Sequence, residues 1–191
     1  MCFKPLARSL IVAATVLITS GSSVAQPFEQ FEQESRNLPF EKRGPFGGLA
    51  EVGALDRRWS VNTFYAAFRS SYPNQTVFWV IRRTTGTAKG FERTVWADSR
   101  SCPAVESTLV EMEKIPAVRP DAIGLGEDAQ NIGLVMDGTH HIFWNRYARS
   151  GENKATVSLE IAGNVNVPIA EWWRASVSKL AQCWNEALPA T

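Results

Sequence analysis

Two cysteines constrain this chain more than any other feature. Cys102 and Cys183 are separated by 81 positions, and each lies on a segment with helical periodicity. Their chemistry depends on compartment, which the first residues address. MCFKPLARSLIVAATVLITSGSSVAQ carries Lys4 and Arg8, an apolar run from Leu10 to Ile18, and the small-residue triplet Ser23-Val24-Ala25. That pattern predicts a secretory signal peptide over residues 1–25, with cleavage after Ala25. The third cysteine, Cys2, precedes the apolar run and leaves with the peptide.

The mature chain is thus expected to begin at Gln26, to be exported to the periplasm or beyond, and to lack a transmembrane segment. In an oxidising compartment the remaining two cysteines form one bridge. Closing a loop of that length stabilises a domain by roughly 4–5 kcal/mol if the geometry is unstrained. The spacing is that of a structural staple, not of a redox-active Cys-x-x-Cys pair.

Removal of 25 residues from 191 leaves 166, the size of one domain with a substantial core. Cleavage removes two of the 20 basic residues and none of the 19 acidic ones, leaving 18 against 19. A balance this even excludes general nucleic-acid binding, which needs a net basic face.

Residues 26–56 begin with isolated Phe28, Phe31, Phe40 and Phe46 among Gln, Glu, Gly and Pro, without a sustained period. They read as a flexible arm. One α+β domain follows over residues 57–186, with a tail at 187–191. Trp59, Val61, Thr63 and Tyr65 alternate as in a strand. Val77 to Ile81 is a continuous apolar run, which suits a strand buried on both faces. A second strand returns from Phe91 to Asp98. Ser101 then caps a helix with Pro103 in its first turn, placing Cys102, Val105, Leu109 and Met112 on one face.

The second half begins with Ile132–Met136, Asp137-Gly138 and Thr139–Ala148, which predicts a type I′ hairpin. In that register Val135 faces His140 and Leu134 faces His141. Ala155, Val157, Leu159 and Ile161 alternate inward along the next strand. A helix from Asn166 or Pro168 to about Asn185 gathers Ile169, Trp173, Ser176, Leu180 and Trp184 in one arc.

An offset of 65 pairs Phe78 with Phe143, Trp79 with Trp144, Gly86 with Gly151 and Pro103 with Pro168. This predicts two βββα units, 57–115 and 131–186, forming a roughly six-stranded antiparallel sheet with two antiparallel helices on one face. The alternative is that hairpins and helix starts reuse the same residues.

Chemistry is sparsely marked. Ser176-x-x-Lys179 lacks the companion motifs of an acylating serine site. His140 and His141 are the only histidines, and as strand neighbours they point to opposite faces. Either could act as an acid or base with Asp137, or with Asp121, Glu127 and Asp128 of the long connection 116–131. No signature calls for a cofactor or a metal. Seven tryptophans and a run of arginines instead suggest a recognition surface, with Trp79, Trp144, Trp172, Arg82 and Arg93 as its candidates. Two functions therefore stand: an exported binding or accessory module for an envelope protein or glycan, and a small envelope hydrolase or metal-assisted enzyme using a histidine.

Overall fold

A computed structural model describes residues 26–69, 75–116, 138–150 and 155–190. The expected signal peptide and most of the 116–131 connection lie outside them. So do Ile132–Met136, Asp121, Glu127, Asp128 and Asp137.

The fold is α+β, built on one antiparallel sheet of six strands. These are β1 (Gly47–Gly53), β2 (Trp59–Arg69), β3 (Thr76–Thr87), β4 (Gly90–Asp98), β5 (Thr139–Ser150) and β6 (Ala155–Gly163). They lie in the order β4-β3-β2-β1-β5-β6. Three helices accompany them: α1 (Gln26–Asn37), α2 (Ala104–Glu111) and α3 (Pro168–Lys179).

The apolar run in β3 serves both faces of the sheet, as its composition requires. Ile81 and Trp79 join Leu49, Phe64, Ala97 and Phe143 beneath α2 and α3. From the helices come Val105, Leu109, Ile169, Trp172, Trp173 and Leu180. Phe64 packs against both Trp172 and Trp173, with ring centroids 6.3 and 6.1 Å apart. Phe78 and Val80 turn to the opposite face, where Phe40 lies against Tyr65 and Trp96. On that side Phe28 and Phe31 of α1 cover Trp59.

Cys102 and Cys183 are bonded, with their Cα atoms 5.7 Å apart. The bond ties the approach to α2 to the segment leaving α3. Farther along, Trp172 Nε1 donates to the Thr108 carbonyl at 3.3 Å. Glu111 and Lys179 form an ion pair at 2.5 Å.

Four expectations change. Residues 26–56 are not a flexible arm: they supply α1 and the central strand β1. The Gly47-Gly48 pair belongs within the sheet because a Cβ on Gly48 would come within 2.4 Å of the Trp144 ring and 2.5 Å of the Asn62 carbonyl oxygen. Second, β1 occupies the edge of β5 that Ile132–Met136 was expected to fill, so His140 faces Val52 and His141 faces Glu51. β6 holds the other edge, with His141 opposite Gly163.

Third, the sheet order is symmetric about the β1/β2 pair, with β2-β3-β4 leading into α2 and β5-β6 leading into α3. The second set, however, takes its innermost strand from before the first set. The offset of 65 also equates residues on opposite faces. Trp79 and Phe143 both meet the α2/α3 cluster, whereas Phe78 lies in the opposite core. Trp144, next to Phe143 on β5, turns away from that cluster toward Arg36 of α1. A one-residue mismatch exchanges the faces of a strand. Fourth, α3 stops at Lys179 because the chain then crosses to β4, where Asn185 pairs with Trp96.

Opening the disulfide with Cys102→Ser and Cys183→Ser should cost roughly 3–5 kcal/mol in urea unfolding. Segment 184–190 should become the first protease-sensitive part of the double variant. A second prediction concerns the tight turn at Phe40–Arg43. Glu41 and Lys42 have φ of 49° and 64°, values that suit glycine. Lys42→Gly should raise stability by about 1 kcal/mol, measured by the same unfolding curves.

Candidate functional site

A polar cluster lies where β1, β2, β3 and β5 meet beneath α3. Strand register brings Glu51 opposite both Ser60 and His141. Ser60 Oγ donates to Glu51 Oε2 at 2.7 Å, and Trp173 Nε1 donates to the same oxygen at 2.9 Å. His141 Nε2 stands 3.6 Å from Oε1, and an Arg83 nitrogen 3.9 Å from Oε2. Asn62 Nδ2 donates at 3.2 Å to both Ser60 Oγ and the Leu49 carbonyl. Arg83 also lies over the Trp184 ring, 5.7 Å from its centroid.

Burial pushes the Glu51 carboxyl up, but the His141 ring beside it, the hydrogen bonds from Ser60 and Trp173, and the Arg83 charge outweigh it. The result is a carboxyl held below its ordinary value. Burial lowers the Arg83 guanidinium; Glu51 opposes that and Arg93 adds to it.

The chemistry open to this cluster is limited by how its donors are used. Ser60 gives its proton to Glu51, so the hydroxyl is not aligned on the imidazole as an activated nucleophile would be. His141 is only 5% exposed, and Trp173 covers the carboxylate. The arrangement fixes the β2-β1-β5 register and seats α3 on it.

His140 points to the opposite side, exposed, with Nδ1 3.3 Å from Asn164 Oδ1. The two histidines therefore do not share a site. Among the described residues, no group of three or more His, Cys, Asp or Glu side chains could hold a metal ion.

The predicted aromatic and basic residues do not form one surface. Trp172 is buried and Trp79 half-buried in the core under α2 and α3. Trp144 is buried on the other face, with the Arg36 guanidinium 5.4 Å from its ring centroid. Arg82, also on that face, is 3% exposed. One of its terminal nitrogens donates to the Ser35 carbonyl at 3.4 Å. Arg146 donates to the Arg36 carbonyl at 2.8 Å. Two arginines thus meet the last carbonyls of α1, the negative end of its dipole. Burial lowers the Arg82 guanidinium. Arg93 is exposed on β4, apart from Trp79, Trp144 and Trp172. All seven tryptophans are buried or half-buried.

The feature that sequence reasoning missed is the unequal treatment of the sheet edges. On β4, the Trp96 N–H donates to the Asn185 carbonyl at 2.7 Å, and the Trp96 carbonyl accepts from the Asn185 N–H at 2.8 Å. β6 has no outer neighbour among the described residues. Its residues Ala155–Glu160 are all exposed, and Val157 and Leu159, expected inward, are 39% and 38% exposed. Only Ile161 reaches the core under the helices. On the adjacent β5, Tyr147 is 65% exposed. The alternation of β6 marks a strand, but three of its four residues expected inward, Ala155, Val157 and Leu159, are exposed, because the reach of the helices over that face has no local signature.

No family model matches this chain, and neither a curated protein nor a solved structure is similar to it.

The lowered Glu51 carboxyl sets a pH test. Its contribution to stability is complete above the ordinary carboxylate range and disappears as pH falls through the lowered folded value. Glu51→Gln should cost about 2 kcal/mol at neutral pH, and the difference from wild type should shrink in acid. Urea unfolding at neutral and acid pH checks both the size and the sign.

Proposed function

We propose that this chain is an exported binding or accessory module, working in the periplasm, that recognises an envelope protein by strand addition along β6. One observation carries the reading: the nine-residue β6 has no outer neighbour among the described residues and exposes its residues 155–160, whereas β4 at least pairs with Asn185 at Trp96. An open edge is a template for another strand, and soluble proteins ordinarily protect it with lysine, proline or a covering segment. β6 contains neither lysine nor proline, and it exposes Val157 and Leu159 beside its backbone. Backbone pairing would supply affinity, while alternate side chains would supply selectivity.

The disulfide suits an oxidising compartment, and no helix among the described residues is long and apolar enough to cross a membrane. A second reading, a small envelope enzyme, draws on the His141–Glu51 pair. Loss of turnover in a His141→Ala variant that remains folded would favour it.

The deciding experiment places a photo-crosslinking amino acid at Val157 in living cells, with Val110 on α2 as the control. Val110 is also exposed but lies away from β6. A protein adduct from Val157 and none from Val110 is expected. Adducts from Val110 alone would overturn the proposal.

A further inference from the structure

We infer that the protein recognised at β6 is a second copy of this chain, paired antiparallel about a two-fold axis at Leu159. The inference rests on reading β6 as a recognition edge, and it names the occupant.

The sequence Ala155–Gly163 is complementary to itself. An axis at Leu159 places Val157 opposite the partner's Ile161 and Ser158 opposite the partner's Glu160. Leu159 meets its own counterpart. Thr156 then faces the partner's Ala162, and Ala155 the partner's Gly163, so every residue of the strand is used.

Neighbouring registers fare worse. Moving the axis to Glu160 sets two carboxylates opposite one another, a destabilising pair. Moving it to Ser158 leaves Ala162 and Gly163 without partners in the strand. An axis between residues sets the Val157, Leu159 and Ile161 face of one copy against the polar face of the other.

Charge also fits. Glu160 is the only charged side chain on β6, and Arg36 of α1 already binds it at 2.6 Å. No ionic group must therefore be stripped of its counter-charge when the edges meet. A strand shaped for a strongly charged partner would carry complementary charge of its own.

The geometry closes. A two-fold axis normal to an antiparallel sheet keeps each face on its own side, so α2 and α3 of both copies share one side and both α1 helices share the other. Val157, Leu159 and Ile161 of the two strands then form one continuous apolar strip next to the two helical layers. Such an interface is isologous and ends at two chains.

The test uses opposite charges at the axis. Leu159→Lys and Leu159→Asp are both tolerable in a monomer, because Leu159 is partly exposed. Wild type should sediment as a dimer. Each variant alone should be monomeric, with association weakened by roughly a hundredfold or more by like charges at the axis. An equimolar mixture of the two variants should recover the dimer, which also shows that both are folded. Leu159→Cys should crosslink to itself under mild oxidation.

A monomeric wild type, or a dimer indifferent to both charged variants, would overturn the inference. If wild type is monomeric while Val157 still crosslinks to a protein of different mass, the second-copy inference falls and the recognition edge stands. If Val157 gives no adduct of any mass, both fall.

Discussion

The structure depends on the double pairing of β1. Seven residues, Gly47–Gly53, hydrogen-bond to β2 on one side and β5 on the other, and so join the three strands β2-β3-β4 to the pair β5-β6. Glu51 anchors this seam: it takes hydrogen bonds from Ser60 of β2 and from Trp173 above, beside His141 of β5. Above the seam, the disulfide links the segments flanking α2 and α3. The two parts are therefore held by backbone pairing in the sheet and by a covalent bond in the helical layer.

What was legible in the sequence follows from signal strength. β3 announces itself by five consecutive apolar residues, and α3 by an arc that includes the fully buried Trp173, Ser176 and Leu180. The cysteines needed only the compartment. β1 was not legible, because Gly-Gly-Leu-Ala-Glu-Val-Gly contains three glycines and an acid, and Gly47 and Gly48 are required by neighbours brought from elsewhere in the chain. α1 has two phenylalanines for its apolar stripe, too few to distinguish a docked helix from a tail. The expected hairpin failed for the same reason as the arm: the edge of β5 was already assigned to a strand that had not been recognised.

The charged and aromatic residues misled in a more general way. Arginine and tryptophan in number suggest a binding surface, yet here they serve the interior. Arg82 is accommodated under α1 because the helix ends there, and terminal carbonyls supply the partial negative charge that a carboxylate would otherwise provide. Trp172 and Trp173 are adjacent in the chain but bond differently, one to the Thr108 carbonyl and the other to Glu51. Composition records such groups without recording which helix terminus or buried acid receives them. The outer edge of β6 is the converse case, since ordinary residues become notable only when no other strand among the described residues lies beside them.

The covalent link and the β4 edge are connected through the C-terminal segment. Cys183 lies two positions before Asn185, whose backbone exchanges both hydrogen bonds with Trp96 on the outer side of β4. Fixing Cys183 lowers the entropy that this segment loses on docking, so the bond favours the pairing of Asn185 with Trp96. The disulfide then does more than stabilise the helical layer: by holding Asn185 against Trp96, it also ties that layer to the β4 edge of the sheet.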